Sequence, residues 1–322
     1  MEHFLHCYRM FTFTTQTLTQ IISTLTTQLL EIKAHETLSF EVLNPDIANT
    51  YNGSIFTYNN TSYIHRGYKT WIDLAQILHC KMLTPVKISD HIVQITFKKL
   101  NNDDSFHKNI SNKEEKYGEG SIFSAISKNE ESSFIYYYLQ ALKNVKVENR
   151  LRILNLGVNS GDEFDAIITQ VANFTSLELV GIDYCASAIE SAKKKFSSFS
   201  NISFFTHDIN DLESLELGKF DLIISIGTLQ STNLSFNKVL MNTVQKHLKS
   251  DGAMILSFPN CRWIDGEMIY GARVKNYPFS EMGLLYKDVI FSKKYLQQKK
   301  IRVTITGKDY IFITATSIKK TL

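Results

Sequence analysis

Residues 153–183, ILNLGVNSGDEFDAIITQVANFTSLELVGID, read as a strand, a glycine-bearing turn, a helix and a second strand closed by an acid. The apolar run Leu151–Leu156 ends in Gly157-Val158-Asn159-Ser160-Gly161, after which Phe164, Ile167, Ile168 and Val171 recur at helical spacing. Leu177–Ile182 is a second apolar run, and Asp183 ends it. A strand–helix–strand crossover with glycines in its first turn is a βαβ nucleotide-binding unit.

Downstream the alternation continues. A helix is predicted over 187–199, with Ile189, Ala192 and Phe196 inward, followed by a strand at Ile202–Thr206 that runs into His207-Asp208. Phe220–Ile226 is almost wholly apolar, as a strand covered on both faces must be. A helix over Phe236–Leu248, with Gly252 near its exit, leads to a fifth strand at Ala253–Phe258, closed by Pro259. The segment Asn260–Gly283 reads as irregular, and a helix over Leu284–Lys299 follows it. Arg302–Thr306 and Tyr310–Ser317 alternate around a Gly307-Lys308 turn and pair as a hairpin. The predicted fold class is α/β: a doubly wound, mostly parallel seven-stranded sheet with an antiparallel C-terminal hairpin.

Upstream lies a small α+β module. Thr15–Ala34 places Leu18, Ile21, Ile22, Leu25, Leu29 and Ile32 on one helical face. Ser39–Leu43 and Ile55–Ile64 read as strands, the latter turning at Asn59-Asn60, because asparagine tolerates positive φ. Thr70, with Asp73 three residues on, predicts a capped helix that buries Trp71, Leu74, Leu78 and Met82 and stops at Pro85. His91–Leu100 alternates like a strand. His65, Arg66, Tyr68, Lys69 and Trp71 form a basic and aromatic cluster that suits a base or phosphate, although Trp71 reads more readily as core. The expected domains are 1–100, an accessory or substrate-recognition module; 101–129, a polar linker or lid; and 130–322, the core domain.

Composition excludes several classes. With 43% hydrophobic and 21% charged residues the chain is an ordinary globular protein, and a net charge of +3 does not by itself attract nucleic acid. Cys7, Cys80, Cys185 and Cys261 are isolated, so neither a disulfide framework nor a zinc site is signalled, and His3, His6 and Cys7 read as a solvated tail. No run of about 18 apolar residues predicts a membrane span. Phe4–Phe13 is broken by His6 and Arg9 and lacks a small-residue cleavage site, so a cytoplasmic protein is expected.

Taken together, residues 130–318 resemble the class I S-adenosylmethionine-dependent methyltransferases. That family's first motif is an apolar strand, an acid and G-x-G-x-G; here Asn155 stands at the acid, and Gly157, Asn159 and Gly161 at the glycines. The last glycine falls one residue too early for the G-x-G-x-x-G of a nicotinamide site. Asp183, 22 residues beyond Gly161, stands where such folds hold ribose hydroxyls, the alternative being an exposed strand-end aspartate. The resemblance implies S-adenosyl-L-methionine as cofactor. It further implies Asp208 on the adenine amino group, the Ile209 backbone on the ring, Tyr184 flanking it, and Ser225 beneath the reacting methyl group.

Methyl transfer from a sulfonium needs alignment and exclusion of water more than acid–base chemistry. The expected substrate segment is Asn260–Glu281, which follows the fifth strand at the ligand-binding edge of such sheets. In it Asp265 and Glu267 are candidate bases, Tyr270 and Trp263 candidate stacking groups, and Arg262 and Arg273 candidate anion holders; each equally suits the stabilising of a long loop. Cys261 is a weaker candidate, as a covalent nucleophile. The expected function is methyl transfer to a small molecule, with an RNA base or protein side chain as the other acceptors. The alternatives are transfer of a different group, or a sensing or scaffold domain.

Overall fold

The computed structural model describes residues 11–47, 51–104, 117–231, 233–272 and 280–318, which fall into two units. The first comprises the described residues of Met1–Lys108 together with Trp263–Tyr270; the second comprises those of Asn109–Arg262 and Gly271–Leu322.

In the first unit, β1 (Phe11–Thr12), β2 (Thr37–Leu43), β5 (Cys80–Met82) and β7 (Ile92–Lys99) form a sheet in the order β1-β2-β7-β5, with β6 (Val86–Lys87) also on β7. Helix α1 (Leu18–Glu31) starts from a capping box: the Thr17 hydroxyl accepts from Gln20 N at 3.3 Å, and Gln20 Oε1 accepts from Thr17 N at 2.8 Å. Its buried face is narrower than its sequence implies. Ile21, Leu25 and Leu29 are buried, whereas Leu18 and Ile22 stay 38% and 39% exposed. The hairpin of β3 (Ile55–Tyr58) and β4 (Thr61–Ile64) turns at Asn59 (φ 47°) and Asn60 (φ 57°), the left-handed pair that a two-residue hairpin requires.

Helix α2 (Tyr68–Ile77) corrects two expectations. It begins after Gly67, with no side-chain cap, while Thr70 accepts a hydrogen bond from Asn52 at 2.9 Å and Asp73 pairs with Lys69. It also ends before Pro85 comes into play, since β5 already occupies Cys80–Met82. Trp71 is core, packed on Phe40 with ring centroids 5.6 Å apart. Arg66 is buried and donates to Gln16 O at 2.5 Å, so it ties the loop before α1 to the end of β4.

In the second unit the elements are α3 (Ser132–Asn144), β8 (Arg152–Leu156), α4 (Asp162–Gln170), β9 (Glu178–Asp183), α5 (Ala186–Lys195), β10 (Ile202–Thr206) and β11 (Phe220–Ile226). There follow α6 (Phe236–Asn242), β12 (Leu248–Pro259), α7 (Gly283–Gln298), β15 (Ile301–Gly307) and β16 (Tyr310–Ser317); between β12 and α7 the chain forms the short hairpin strands β13 (Cys261–Ile264) and β14 (Glu267–Tyr270), of which residues 263–270 count with the first unit. The seven-stranded sheet has the order β10-β9-β8-β11-β12-β16-β15, parallel except at β16. The order reverses between β8 and β11, which makes their carboxyl ends the switch point where such sheets bind ligands. Leu154, Val180, Ile223, Met254 and Ile313 fill the core around it. One departure lies at Gly252, which sits inside the long β12; the preceding helix gives way to a π turn at Thr243–His247 instead.

The stretch Asn260–Gly283, expected to be irregular, contains the β13–β14 hairpin. Asp265 (φ 51°) and Gly266 (φ 76°) form its Asp-Gly turn, a left-handed pair that closes two-residue hairpins. Its residues 263–270 count with the first unit, although they lie inside the 130–322 stretch. There Asp265 Oδ2 accepts from His35 Nε2 at 2.8 Å and from Asn101 N at 3.1 Å, Lys81 pairs with Glu267, and Ile264 and Ile269 pack on Leu100.

Gly161 tests the strand-to-helix packing. Its φ is +89°, and an added Cβ would fall 2.4 Å from Phe196 Cε2. Gly161→Ala is expected to lower the unfolding free energy by about 2–4 kcal/mol, combining left-handed strain with overpacking. Urea denaturation measures it; an unchanged midpoint would show that Phe196 yields without cost.

Candidate functional site

The site is built on the five residues between β8 and α4. Gly157 N and Val158 N donate to Ile182 O at 2.8 and 3.1 Å, which bends the chain over the end of β9. Gly157 is left-handed (φ 77°), and a Cβ there would meet Thr228 Oγ1 at 1.9 Å, so only glycine fits beside the turn after β11. Asn159 is also left-handed (φ 47°), the conformation that asparagine adopts at modest cost. Both ends of its side chain are engaged: Nδ2 donates to Tyr117 O at 2.7 Å and Oδ1 accepts from Ser160 N at 2.9 Å.

Asp183 closes β9 and turns its carboxylate back onto this turn. Oδ2 accepts from Asn159 N at 2.9 Å and Oδ1 from Cys185 N at 3.0 Å. Burial raises its pKa above the usual carboxylate value, opposed by the backbone donors of Cys185, Asn159 and Tyr184 and by the Lys128 charge. β10 runs beside it, Thr206 pairing with Asp183, and brings Asp208 and Ile209 to the same edge. Asp208 caps a short 3-10 turn by accepting from Asn210 N at 2.8 Å, and Ile209 is buried. Tyr184, next to Asp183, is exposed. Ser225 is buried at the end of β11 and donates to Leu156 O at 3.2 Å, which ties the two strands at the switch point. Asn155, Gly157, Asn159, Gly161, Asp183, Asp208, Ile209 and Ser225 thus share the carboxyl edge of one sheet.

Two residues in this edge escaped the sequence reading. Glu163, in the first turn of α4 and 2% exposed, accepts from Lys128 Nζ at 3.2 Å and from Asn155 Nδ2 at 3.2 Å. Lys128 is itself buried, and Asn155 Oδ1 is buried with no hydrogen-bond partner among the described residues. The available signal was spacing: Glu163 precedes Ile167 by four residues and so lies on the apolar face of α4, while Asp162 and Asp165 turn outward to Lys195. Lys128, Asn159, Ser160 and Glu163 line a cavity of about 130 Å³, roofed by residues 123–127.

Asp265, Glu267 and Tyr270 belong to the first unit, where Asp265 and Glu267 are engaged by His35, Asn101 and Lys81 as described. Arg262 donates to Gly271 O at 2.9 Å, and Arg273 lies outside the described residues. The Cys261 thiol is pushed up to about 12 by burial and by the nearby Asp309 carboxylate, which works against a nucleophilic role. Among the described residues no group of three or more His, Cys, Asp or Glu is placed to hold a metal, and no helix is long and apolar enough to cross a membrane. His3, His6 and Cys7 lie outside them.

Residues 147–305 match a family model described as a methyltransferase domain. No curated protein matches the chain. Among solved structures, a S-adenosylmethionine-dependent methyltransferase from Aquifex aeolicus is 15% identical, with 61% of this chain and 98% of that one covered at a TM-score of 0.41. Precorrin-6y C5,15-methyltransferase from Geobacter metallireducens is 11% identical over 56% and 88% of the two chains, at 0.40. An N-methyltransferase from Bradyrhizobium japonicum, crystallised with S-adenosyl-L-homocysteine, is 15% identical over 58% and 89%, at 0.41.

The charge balance around Asn155 is testable. Asn155→Asp would set a second carboxylate beside Glu163, at a buried position already served by one lysine. Destabilisation on the order of 3 kcal/mol is expected at neutral pH. The crowded pair raises one folded-state carboxyl pKa, so the penalty is full above that pKa and fades as pH falls through it. Adding Glu163→Gln should recover most of the loss, read as a double-mutant cycle by denaturation.

Proposed function

We propose that this chain, whose residues 147–305 belong to the methyltransferase-domain family, holds S-adenosyl-L-methionine at the carboxyl edge of its seven-stranded sheet and passes the methyl group to a small-molecule acceptor. The observation that carries the cofactor assignment is Asp183. Its carboxylate is buried against the glycine turn and, among the described residues, accepts backbone N–H groups from Asn159, Cys185 and Tyr184, with a lone pair left for a ribose hydroxyl. Asp208 and Ile209 stand one strand over for the adenine edge, with Tyr184 beside them for its face. Asn155, Gly157 and Asn159 border the place of the methionyl part, and Gly161 lets α4 start close to Phe196.

When bound, the cofactor supplies a methyl group already activated on a sulfonium. The protein's own work is then to hold, align and keep water out. In this reading Ser225 fixes the floor by tying β11 to β8, and Thr228, packed at Gly157, closes the crevice from the β11 side. Asp265 and Glu267 serve as posts of their hairpin. In their place, Asp288 on α7 is the carboxylate proposed to take a proton from an acceptor that carries one. Gln230, in the turn after β11, donates to it at 3.0 Å. The low net charge of +3 favours a small acceptor over RNA.

Calorimetric titration with S-adenosyl-L-homocysteine tests the cofactor reading, and no binding at millimolar ligand would sink it. Asp183→Ala should weaken binding about 100-fold, the loss of a hydrogen bond to a charged group, in a protein that still unfolds cooperatively but at a lower thermal midpoint, because the Asn159 and Cys185 N–H groups lose their acceptor. Because ribose hydroxyls need the ionised carboxylate and its pKa is raised, wild-type affinity should fall with decreasing pH sooner than an ordinary aspartate would dictate. Asp183→Ala should show a flat profile over the same range.

A further inference from the structure

Lys128 and Glu163 form an ion pair whose side chains are only 11% and 2% exposed, at 3.2 Å. Burying such a pair costs several kcal/mol per ion, and apolar side chains of the same size serve stability as well. Stability therefore does not account for it. Lys128 brings three donors; among the described residues its ammonium donates one hydrogen bond, to Glu163, and the Phe134 ring centroid lies 5.7 Å away. Glu163 receives Lys128 on one oxygen and Asn155 on the other, while Asn155 Oδ1, fully buried, accepts nothing from the described residues. Both charged groups line the cavity of about 130 Å³ beside the glycine turn, a space of head-group rather than nucleoside size.

Resting on the cofactor reading above, we propose that Lys128 and Glu163 read the amino-acid end of the ligand. Lys128 takes the α-carboxylate and Glu163 takes the α-ammonium, with Asn155 behind the cavity holding the second Glu163 oxygen through Nδ2. A zwitterion matches this pair charge for charge: each ionic group replaces part of an existing contact with one of the same sign, and the buried cluster stays neutral. Asparagine at 155 belongs to the same balance, since it steadies Glu163 as a donor without adding a second negative charge. The segment leading to α3 thereby becomes part of the site: Asn129 Nδ2 donates to Asp162 O at 2.8 Å and Asn159 holds Tyr117, which sets Lys128 over the turn from both sides.

The test compares two ligands that share the thioether nucleoside and differ in the amino-acid end, S-adenosyl-L-homocysteine and 5′-methylthioadenosine, by calorimetry. Wild-type protein should prefer the former by at least about 30-fold, roughly 2 kcal/mol. Lys128→Met should bring the two affinities within a few-fold, with 5′-methylthioadenosine binding retained. Because that change strands a buried carboxylate, Lys128→Met/Glu163→Gln is measured alongside and should give the same collapse in a folded protein. Equal wild-type affinities overturn the proposal, as does a double variant that weakens both ligands alike. If the wild type binds neither, the cofactor reading itself falls.

Discussion

Three left-handed residues within five positions, Gly157, Asn159 and Gly161, hold the ligand edge of the second unit. Each answers a different demand. Gly157 has Thr228 against its Cα, Gly161 has Phe196, and Asn159 offsets its conformational cost with the hydrogen bonds of its own amide. The turn also exposes one N–H, at Asn159, to the Asp183 carboxylate. That contact joins the ends of β8 and β9, fixes where α4 starts, and so aims Glu163 inward. The position of the acid in the helix follows from the conformation of the turn before it.

Much of this architecture is legible in the sequence for a physical reason. A parallel strand covered on both faces reads as an unbroken apolar run, and Phe220–Ile226 has the bounds its sequence predicts; so does the edge strand Ile202–Thr206, set off by its β-branched and aromatic residues. Failures fall where a local signal was ambiguous. Thr70 and Asp73 resemble a capping box, yet the helix had already begun at Tyr68, because Gly67 in extended conformation starts it without a side-chain cap. Asp265-Gly266 is a strong hairpin signal, obscured by the charged and aromatic residues around it that suggest chemistry.

The site divides the same way. The glycine turn, Asp183 and Asp208 are contiguous with strand ends, so their places follow once the strands are read. The Lys128–Glu163 pair joins residues 35 apart through a polar segment, and nothing in either neighbourhood names the partner. Asp265 and Glu267 show the converse. Two carboxylates in a promising segment are engaged by His35, Asn101 and Lys81, and those anchors carry residues 263–270 into the first unit.

A carboxylate's role therefore depends on what already satisfies it. Asp265 has a histidine and a backbone amide, Glu163 a lysine and an amide side chain, and Asp183 only backbone donors. Asp183, Asp208 and Glu163 against Lys128 leave the edge with a formal excess of two negative charges. In the proposed reading the cofactor arrives as a cation and its product leaves without the sulfonium charge. The excess favours the loaded form before transfer and loosens its hold once the methyl group is gone. Placing the only buried cation, among the described residues at this edge, at the amino-acid end keeps that electrostatic difference at the sulfur, where the charge is lost.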